Sequence, residues 1–175
     1  AGDQYRYDGK WMPLSSKRIW LPVKMGPFNL PVPQTVYRSI HGPVIKNDKG
    51  YFAIRYAGID NVKVVEQYYR NTKASNWDEW TQSMAIGGIP ATNFIYADKT
   101  GRVAYIYNAL FPDRKPGYDY TKLLPGDTSA AMWAGPVGFD RYPKIVNPAS
   151  GFVQNANNTP FLAAGPGSDM DPSAY

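Results

Sequence analysis

The segment "GFVQNANNTPF", residues 151–161, places three asparagines between a short apolar run and a Thr-Pro pair. A neutral carboxamide N–H can stabilise the oxyanion of an acyl-transfer reaction without titrating, and Asn155, Asn157 and Asn158 all carry one. The alternative is that the three asparagines build an Asx-turn that leads into Pro160. The residue types alone leave both interpretations open.

Ser39 and His41 form a second pair whose residue types could do chemistry. In a strand their side chains would point to the same face. A catalytic triad also needs an orienting carboxylate, and the sequence has no G-x-S-x-G motif to support one. We therefore interpret His41 as structural. It is the only histidine and there is no cysteine, which excludes a multi-His zinc cluster and thiol catalysis.

The charged residues do not indicate a nucleic-acid or membrane partner. The net charge is +5, and the basic residues are scattered singly. The aromatic pair before Arg70 could stack on bases, but that mode of binding needs a basic groove as well. No segment approaches the ~20 apolar residues of a membrane span. Asp113 and Arg114 are predicted to form an exposed ion pair, although the arginine could instead meet a carboxylate substrate.

The elements that must position these side chains are predicted to form an α+β fold rich in antiparallel strands, with two helices. Glycine and proline contribute 16 residues each, which is typical of short strands joined by turns. Residues 1–57 are predicted to be strands and turns. Asp8-Gly9 marks a hairpin, and two strand-like runs, about 35–46 and 51–57, flank an Asn-Asp-Lys-Gly turn.

Residues 60–88 are predicted to be a helical pair. Asp60 could cap the first helix, and residues 75–78 match a capping box at the start of the second. Each helix has one apolar stripe that is expected to face the core. The stripes consist of Val62, Val65 and Tyr69 in the first helix, and of Trp77, Trp80 and Met84 in the second.

The rest of the chain is predicted to contain one core hairpin and one strand that carries the asparagine cluster. Both arms of the hairpin, residues 91–108, are nearly continuous apolar runs, so both are expected to be covered on two faces. Residues 112–148 are rich in Pro, Gly and Asp and predict a long irregular connection. Residues 149–161 are predicted to be the strand, and residues 1–175 to be a single segment.

Taken together, the sequence resembles an interior fragment of the β chain of the penicillin acylase family. These N-terminal-nucleophile amidohydrolases include penicillin acylases and acyl-homoserine-lactone acylases. The resemblance implies a four-layer αββα fold, of which this chain would be a part. It is carried by six segments in the family's order: "SIHGPVI" at 39–45, "ASNWDEW" at 74–80, "TNFIYADKTGRVAYIY" at 92–107, "FPDRKPGYD" at 111–119, "LPGD" at 124–127 and "VNPASGFVQNANNTP" at 146–160.

The resemblance also implies a mechanism. In this family the first residue of the mature β chain is the nucleophile and its α-amino group is the general base. Ala1 has no hydroxyl, so the nucleophile is expected upstream, and the fragment alone is expected to be inactive. By the family pattern, Asn157 is the side-chain donor of the oxyanion hole. Thr92 is the position expected to look into the acyl pocket, where Asn93 also lies.

The same resemblance sets the expected ligands and location. The substrate would be a small-molecule N-acyl amide, and the partners would be the remaining α and β chain segments of the enzyme. No cofactor is needed for the chemistry. A structural calcium is possible in the full-length enzyme, but a metal site in this chain is not expected, although Asp169 lies near an acidic ligand position of the family. The expected location is periplasmic or secreted.

Two alternatives complete the sequence-based predictions. Gly167-Ser168 resembles an autoprocessing site, but so few residues follow it that a flexible loop is the better interpretation. The chain could also be a non-catalytic β-rich module that binds carbohydrate or another ligand. Such a module would expose several tryptophans in one plane, whereas Trp77 and Trp80 are predicted to face the core.

Overall fold

The computed structural model describes residues 3–167 and residue 170. Two helices and predominantly antiparallel sheets confirm the predicted α+β class. The single segment expected from the sequence separates into two compact units. The first contains Ala1–Ile59 and Arg114–Ala134, and the second contains Asp60–Asp113 and Gly135–Tyr175.

The first unit is built from antiparallel strands. Strands β1 (Gln4–Tyr7) and β2 (Lys10–Pro13) pair across Asp8 and Gly9, whose φ angles of 47° and 78° suit a type I′ turn. A second sheet has the order β3-β4-β5-β6. Its strands are β3 (Ser15–Met25), β4 (Phe28–Ser39), β5 (Gly42–Asn47) and β6 (Gly50–Ala53).

The strand predicted at 35–46 is wrong, because the structure divides it at Ile40 and His41. Gly42 begins the next strand with a φ of +133°, and a Cβ at this position would collide with the Ile54 carbonyl oxygen. Only glycine therefore lets the chain reverse here. The second predicted run, 51–57, is also too long, since β6 ends at Ala53.

The second unit packs two helices on a three-stranded antiparallel sheet. The helices are α1 (Val64–Lys73) and α2 (Trp77–Met84). The sheet has the order β7-β8-β9 and consists of β7 (Ala91–Ala97), β8 (Val103–Ala109) and β9 (Lys144–Val146). Short 3-10 turns occupy Phe139–Arg141 and Pro160–Leu162. None of the helices in the described residues is long and apolar enough to cross a membrane.

Helix α1 does not bury the stripe that its sequence predicts. Val62, Val65 and Tyr69 are 86%, 75% and 63% exposed, whereas the polar Gln67 is completely buried. Asp60 is not the N-cap, because Lys63 occupies that position and makes no side-chain capping bond. The stripe prediction is wrong because helix α1 turns Gln67, and not the apolar stripe, toward the buried side, where it bonds to Asn108 of the sheet.

Helix α2 behaves as its sequence predicts, with the cap displaced by one residue. The Asn76 side chain accepts the Glu79 backbone N–H, and the Glu79 carboxylate accepts the backbone N–H and hydroxyl of Ser75. Trp80 and Met84 are buried, and Trp77 stacks on Trp80 with ring centroids 5.6 Å apart. Reciprocal capping thus fixes the first turn and the apolar face docks on the sheet.

The hairpin of β7 and β8 is covered unequally. On one face, Trp80, Met84 and Ile106 form a buried cluster. On the other face, Tyr105 and Ile145 pack against the segment that follows the asparagine cluster. Strand β8 is therefore covered on both faces. Strand β7 lies at the sheet edge and leaves Ile95 48% exposed, so the prediction of double cover is wrong for that arm.

The strand predicted at 149–161 is absent from the structure. The segment runs without regular secondary structure to the 3-10 turn, and the third strand, β9, lies instead within the connection predicted at 112–148. In place of the regular hydrogen bonds of a paired strand, one backbone hydrogen bond links the Gln154 N–H to the Ala163 carbonyl at 2.7 Å. The asparagines explain the difference, since their side chains bond to the local backbone and compete with strand pairing.

Candidate active site

The asparagine cluster forms a compact loop that its own side chains hold in place. The Asn155 Oδ1 accepts the Asn157 backbone N–H at 3.0 Å, and the Asn158 Oδ1 accepts the Ala156 backbone N–H at 3.0 Å. The Asn155 oxygen accepts an N–H two residues later in the chain, which is the pattern of an Asx-turn, whereas the Asn158 oxygen accepts an N–H two residues earlier. The Asx-turn interpretation therefore holds for Asn155, and Asn158 holds the same loop through a bond in the opposite chain direction.

Asn157, at the centre of this loop, differs from Asn155 and Asn158 in its backbone conformation and in its side-chain hydrogen bonding. Its φ is +56°, in the left-handed region that asparagine tolerates better than most residues. The residue is exposed, and its side chain makes no hydrogen bond to the described residues. The loop thus fixes the backbone of Asn157 and leaves its carboxamide N–H groups available to an external acceptor.

Asn93 ties this loop to the sheet. Its Nδ2 donates to the Asn155 Oδ1 at 3.0 Å, so one side-chain oxygen receives both this bond and the Asn157 N–H. On the far side of the loop, the Gln154 Nε2 donates to the Leu162 carbonyl at 2.9 Å. Sequence reasoning placed Asn93 near the acyl pocket but missed this anchoring contact, for which the sequence offers no pattern.

Thr92 lies on the other face of β7. Side chains alternate along a strand, so Thr92 shares a face with Phe94 and Tyr96, which pack against the Trp80 cluster. Its hydroxyl donates to the Ala91 carbonyl at 2.6 Å, and its side chain is half-buried. The structure therefore brings Asn93, and not Thr92, into contact with the asparagine loop.

A buried amide network lies beneath the Thr92 face. Asn108, the cross-strand partner of Thr92, is fully buried and donates to the Met84 carbonyl at 2.8 Å. Its Oδ1 accepts from the Gln67 Nε2 at 2.9 Å, and the Gln67 Oε1 accepts the N–H groups of Gly88 and Ile89. Burial of these side-chain amides does not destabilise the fold because each of them forms hydrogen bonds. No sequence signal marked Gln67.

His41 has a structural role. Its Nε2 lies 2.8 Å from the Gly126 carbonyl oxygen, which can only accept, so Nε2 carries the proton. The Ser39 hydroxyl accepts the His41 backbone N–H at 3.2 Å and does not contact the ring. The ring packs edge-on to Tyr7 with centroids 5.6 Å apart. This arrangement has no serine–imidazole contact from which a triad could be built.

The ion pair predicted between Asp113 and Arg114 is wrong. Asp113 pairs with Arg141 at 3.4 Å, and both side chains are more than half exposed. The Arg114 guanidinium lies 5.5 Å from the centre of the Tyr120 ring. Adjacent residues point away from each other in an extended chain, which is why the sequence neighbours do not meet. An exposed pair of this kind contributes little to stability.

The largest pKa shifts near the sheet are those of Asp98 and Tyr105. The Thr100 hydroxyl and then the Tyr96 hydroxyl donate to the Asp98 carboxylate, and together with backbone N–H donors they lower the pKa of Asp98 to about 2. Burial raises the pKa of Tyr105 to about 12. Both shifts have structural causes, a turn and a core, so neither group has the pKa of a general base near neutral pH.

The residues of the described part of the chain do not fit a calcium site. Among residues 3–167 and 170, no group of three or more His, Asp or Glu side chains could hold a metal ion. Ala1, Ser168 and Asp169, which figure in the predictions of the nucleophile, the processing site and the metal ligand, lie outside the described residues. Trp77 and Trp80 face the core as predicted, since Trp80 is 7% exposed and Trp77 packs against it.

Comparison with known proteins identifies relatives over nearly the whole chain. The penicillin amidase family model matches residues 1–173. Penicillin G acylase of Escherichia coli is 33% identical over 160 residues, which cover 89% of this chain and 18% of that protein. The acyl-homoserine lactone acylase PvdQ of Pseudomonas fluorescens is 27% identical over 188 residues, which cover 91% of this chain and 24% of that protein.

A solved structure agrees with the sequence comparison. A thermostable penicillin G acylase from Alcaligenes faecalis superposes with a TM-score of 0.77 at 28% identity, covering 99% of this chain and 30% of that chain. The chain thus spans about a fifth to a third of the lengths of these relatives. Because the family model extends over almost every residue, the chain belongs to the penicillin amidase family.

Proposed function

We propose that the whole protein is an N-acyl amide hydrolase. An N-terminal nucleophile outside the described residues attacks the amide carbonyl, a covalent acyl-enzyme forms as the amine leaves, and water then releases the carboxylate. The support is family membership, together with relatives named as acylases of penicillin G and of acyl-homoserine lactones. The chemistry needs no cofactor, and we place the enzyme in the periplasm or outside the cell.

The role proposed for this chain rests on the free carboxamide of Asn157. Attack on an amide carbonyl creates an oxyanion, and a donor held in advance at that point stabilises the transition state more than the substrate. Asn157 has the two properties required. Its backbone is held by the Asx-turn, and its side-chain N–H groups are exposed and make no hydrogen bond to the described residues.

Thr92 is proposed to form part of the acyl-pocket wall. Its side chain is half-buried at the edge strand, so a substrate can still reach it. It lies on the face opposite Asn93, and the acyl chain and the oxyanion are attached to the same carbon, so an acyl chain that reaches Thr92 from a carbonyl held at Asn157 must pass over the edge of β7. The remaining segments of the longer enzyme are proposed to complete both sites.

The proposal is tested by assaying the purified full-length enzyme on two panels, acyl-homoserine lactones and phenylacetyl amides. Release of the free amine is followed by fluorescamine, which reports amide cleavage whichever acyl group is removed. We expect turnover on at least one panel. Absence of turnover on both would refute the proposed function, and a glycan-array signal from the same protein would favour the carbohydrate-binding alternative.

A further inference from the structure

One face of the β3–β4 hairpin is a continuous apolar surface. The register pairs Val23 with Leu30 and Met25 with Phe28, and directly opposite residues point to the same face. Since side chains alternate along each strand, every second residue joins them, with Gln34 and Lys17 as the polar members between Lys17 and Val36. We call the following eight residues the ribbon face: Ile19, Leu21, Val23 and Met25 of β3, and Phe28, Leu30, Val32 and Val36 of β4.

The ribbon face is exposed to solvent in the first unit. Seven of its eight side chains are between 41% and 68% exposed, and only Ile19 is half-buried. Contiguous apolar patches larger than a few hundred Å² on a protein surface mark interaction sites. Most of the hairpin is also not paired with a third strand, because β4 pairs with β5 only from Tyr37 to Ser39. A two-stranded hairpin by itself is marginally stable in water.

The edges of the hairpin are unsuited to pairing with another strand. Pro22 lies directly opposite Pro31, and neither has a backbone N–H, so this pair cannot be a hydrogen-bonded one. The backbone groups at these positions therefore point outward, and Pro33 has the same orientation as Pro31. The missing donors interrupt both outer edges, which is how native sheets resist edge pairing. An occupant must cover the face and not extend the sheet.

We propose that the ribbon face is a docking surface for an apolar segment of the same acylase that lies outside these 175 residues. The curated relatives are several times longer than this chain, which covers 18% and 24% of two of them. Most of the sequence of such a relative therefore lies outside the matched region, and a segment of the corresponding kind can supply the apolar residues that cover the ribbon face. The proposal rests on family membership and not on the role of Asn157. The two ideas can therefore fail independently.

The test compares thiol labelling at two adjacent positions of the full-length enzyme. Val23→Cys lies on the ribbon face, and its control Lys24→Cys lies on the opposite face of the same strand. The 175 residues contain no cysteine, and peptide mass spectrometry after a short maleimide pulse separates the label from any thiol elsewhere. We expect Val23→Cys to react at least about tenfold more slowly than the control, and at the same rate in urea.

A second pair of variants keeps the test meaningful if a cysteine variant fails to fold. Leu30→Asp puts a charge on the ribbon face, whereas Asn29→Asp adds the same charge to the opposite face. We expect Leu30→Asp to lower the melting temperature of the full-length enzyme measurably and Asn29→Asp to leave it within about 1 °C.

Equal labelling of the two cysteines in the native enzyme would overturn the proposal. Protection that is lost on dilution would indicate a second copy of the chain as the occupant. Protection that appears only with phosphatidylcholine vesicles would indicate a lipid surface. Either result would overturn the assignment, while amine release measured on the same samples shows separately whether the enzyme is active.

Discussion

Removal of the Asn157 carboxamide is expected to slow turnover without unfolding the enzyme. Loss of one oxyanion donor costs about 2.7–4 kcal/mol of transition-state stabilisation, so kcat should fall by about 10²–10³-fold. KM should change little, because the donor acts on a charge that develops only in the transition state. The readout is steady-state amine release by the full-length enzyme on whichever amide it cleaves.

The structure also fixes what the substitution does to stability. The Asn157 side chain makes no hydrogen bond to the described residues, so its removal breaks no bond there. Its φ of +56° is the larger concern, because alanine in this left-handed region costs about 1–2 kcal/mol. Glycine has no such penalty. Asn157→Ala should therefore be less stable than Asn157→Gly, although both lack the donor.

The glycine variant is the decisive one. If oxyanion stabilisation is the role of Asn157, Asn157→Gly should lose as much kcat as Asn157→Ala while keeping a melting temperature near that of the wild type. Asn158→Ala is the matched control, since it removes the bond from the Ala156 N–H and should act mainly on stability. A stable Asn157→Gly enzyme with nearly normal kcat would refute the reasoning.

The remaining predictions concern the sheet and its helices. Gln67→Ala should lower the free energy of unfolding, measured by urea titration, by about 2–4 kcal/mol, because it leaves buried amides unpaired. Val65 is 75% exposed on the same helix, so Val65→Ala should change the free energy of unfolding by less than about 0.5 kcal/mol. Equal effects of the two substitutions would contradict a stabilising role for the Gln67 hydrogen bonds. Thr92→Leu should change the ratio of turnover on long-chain acyl lactones to that on phenylacetyl amides, and an unchanged ratio would remove Thr92 from the acyl pocket. The pKa of Asp98 is depressed from 3.8 to about 2, so its contribution to stability is present above pH 4 and is lost as the pH falls through 2. In a plot of the urea midpoint against pH, Asp98→Asn should therefore have a smaller slope in this range than the wild type. Parallel curves for the two proteins would exclude the contribution.

The sequence predicted helix α2 well because two independent signals agree there. The cap residues and the apolar period both indicate a helix beginning near residue 76, and Trp80 and Met84 are buried as predicted. Helix α1 shows the limit of such reasoning. Its apolar period exists, but the described residues do not cover it, and the buried residue is Gln67. A glutamine satisfied by groups 21 to 41 positions away has no local signature.

The sequence predicted a turn made by the asparagine side chains, but it also predicted a strand over residues 149–161 that the structure does not contain. Asn155 forms the expected Asx-turn with the Asn157 N–H, and Asn158 bonds the Ala156 N–H. The strand proposed for this segment does not form, since those same side-chain bonds take the place of strand pairing. Contact between Asn93 and Asn155 depends on tertiary structure and on the alternation of β7, which sequence spacing alone could not place.

The buried carboxamide of Gln67 has a consequence for native-state hydrogen exchange. Gly88 and Ile89 lie in a connection without helix or strand, yet their amide protons are bound to the Gln67 Oε1 at N···O distances of 2.7 and 2.9 Å. Exchange at these two amides then requires helix α1 to separate from the sheet, and not merely the connection to fluctuate. Two loop amides thus report the opening free energy of a helix, through a glutamine that lies 21 and 22 residues earlier in the chain.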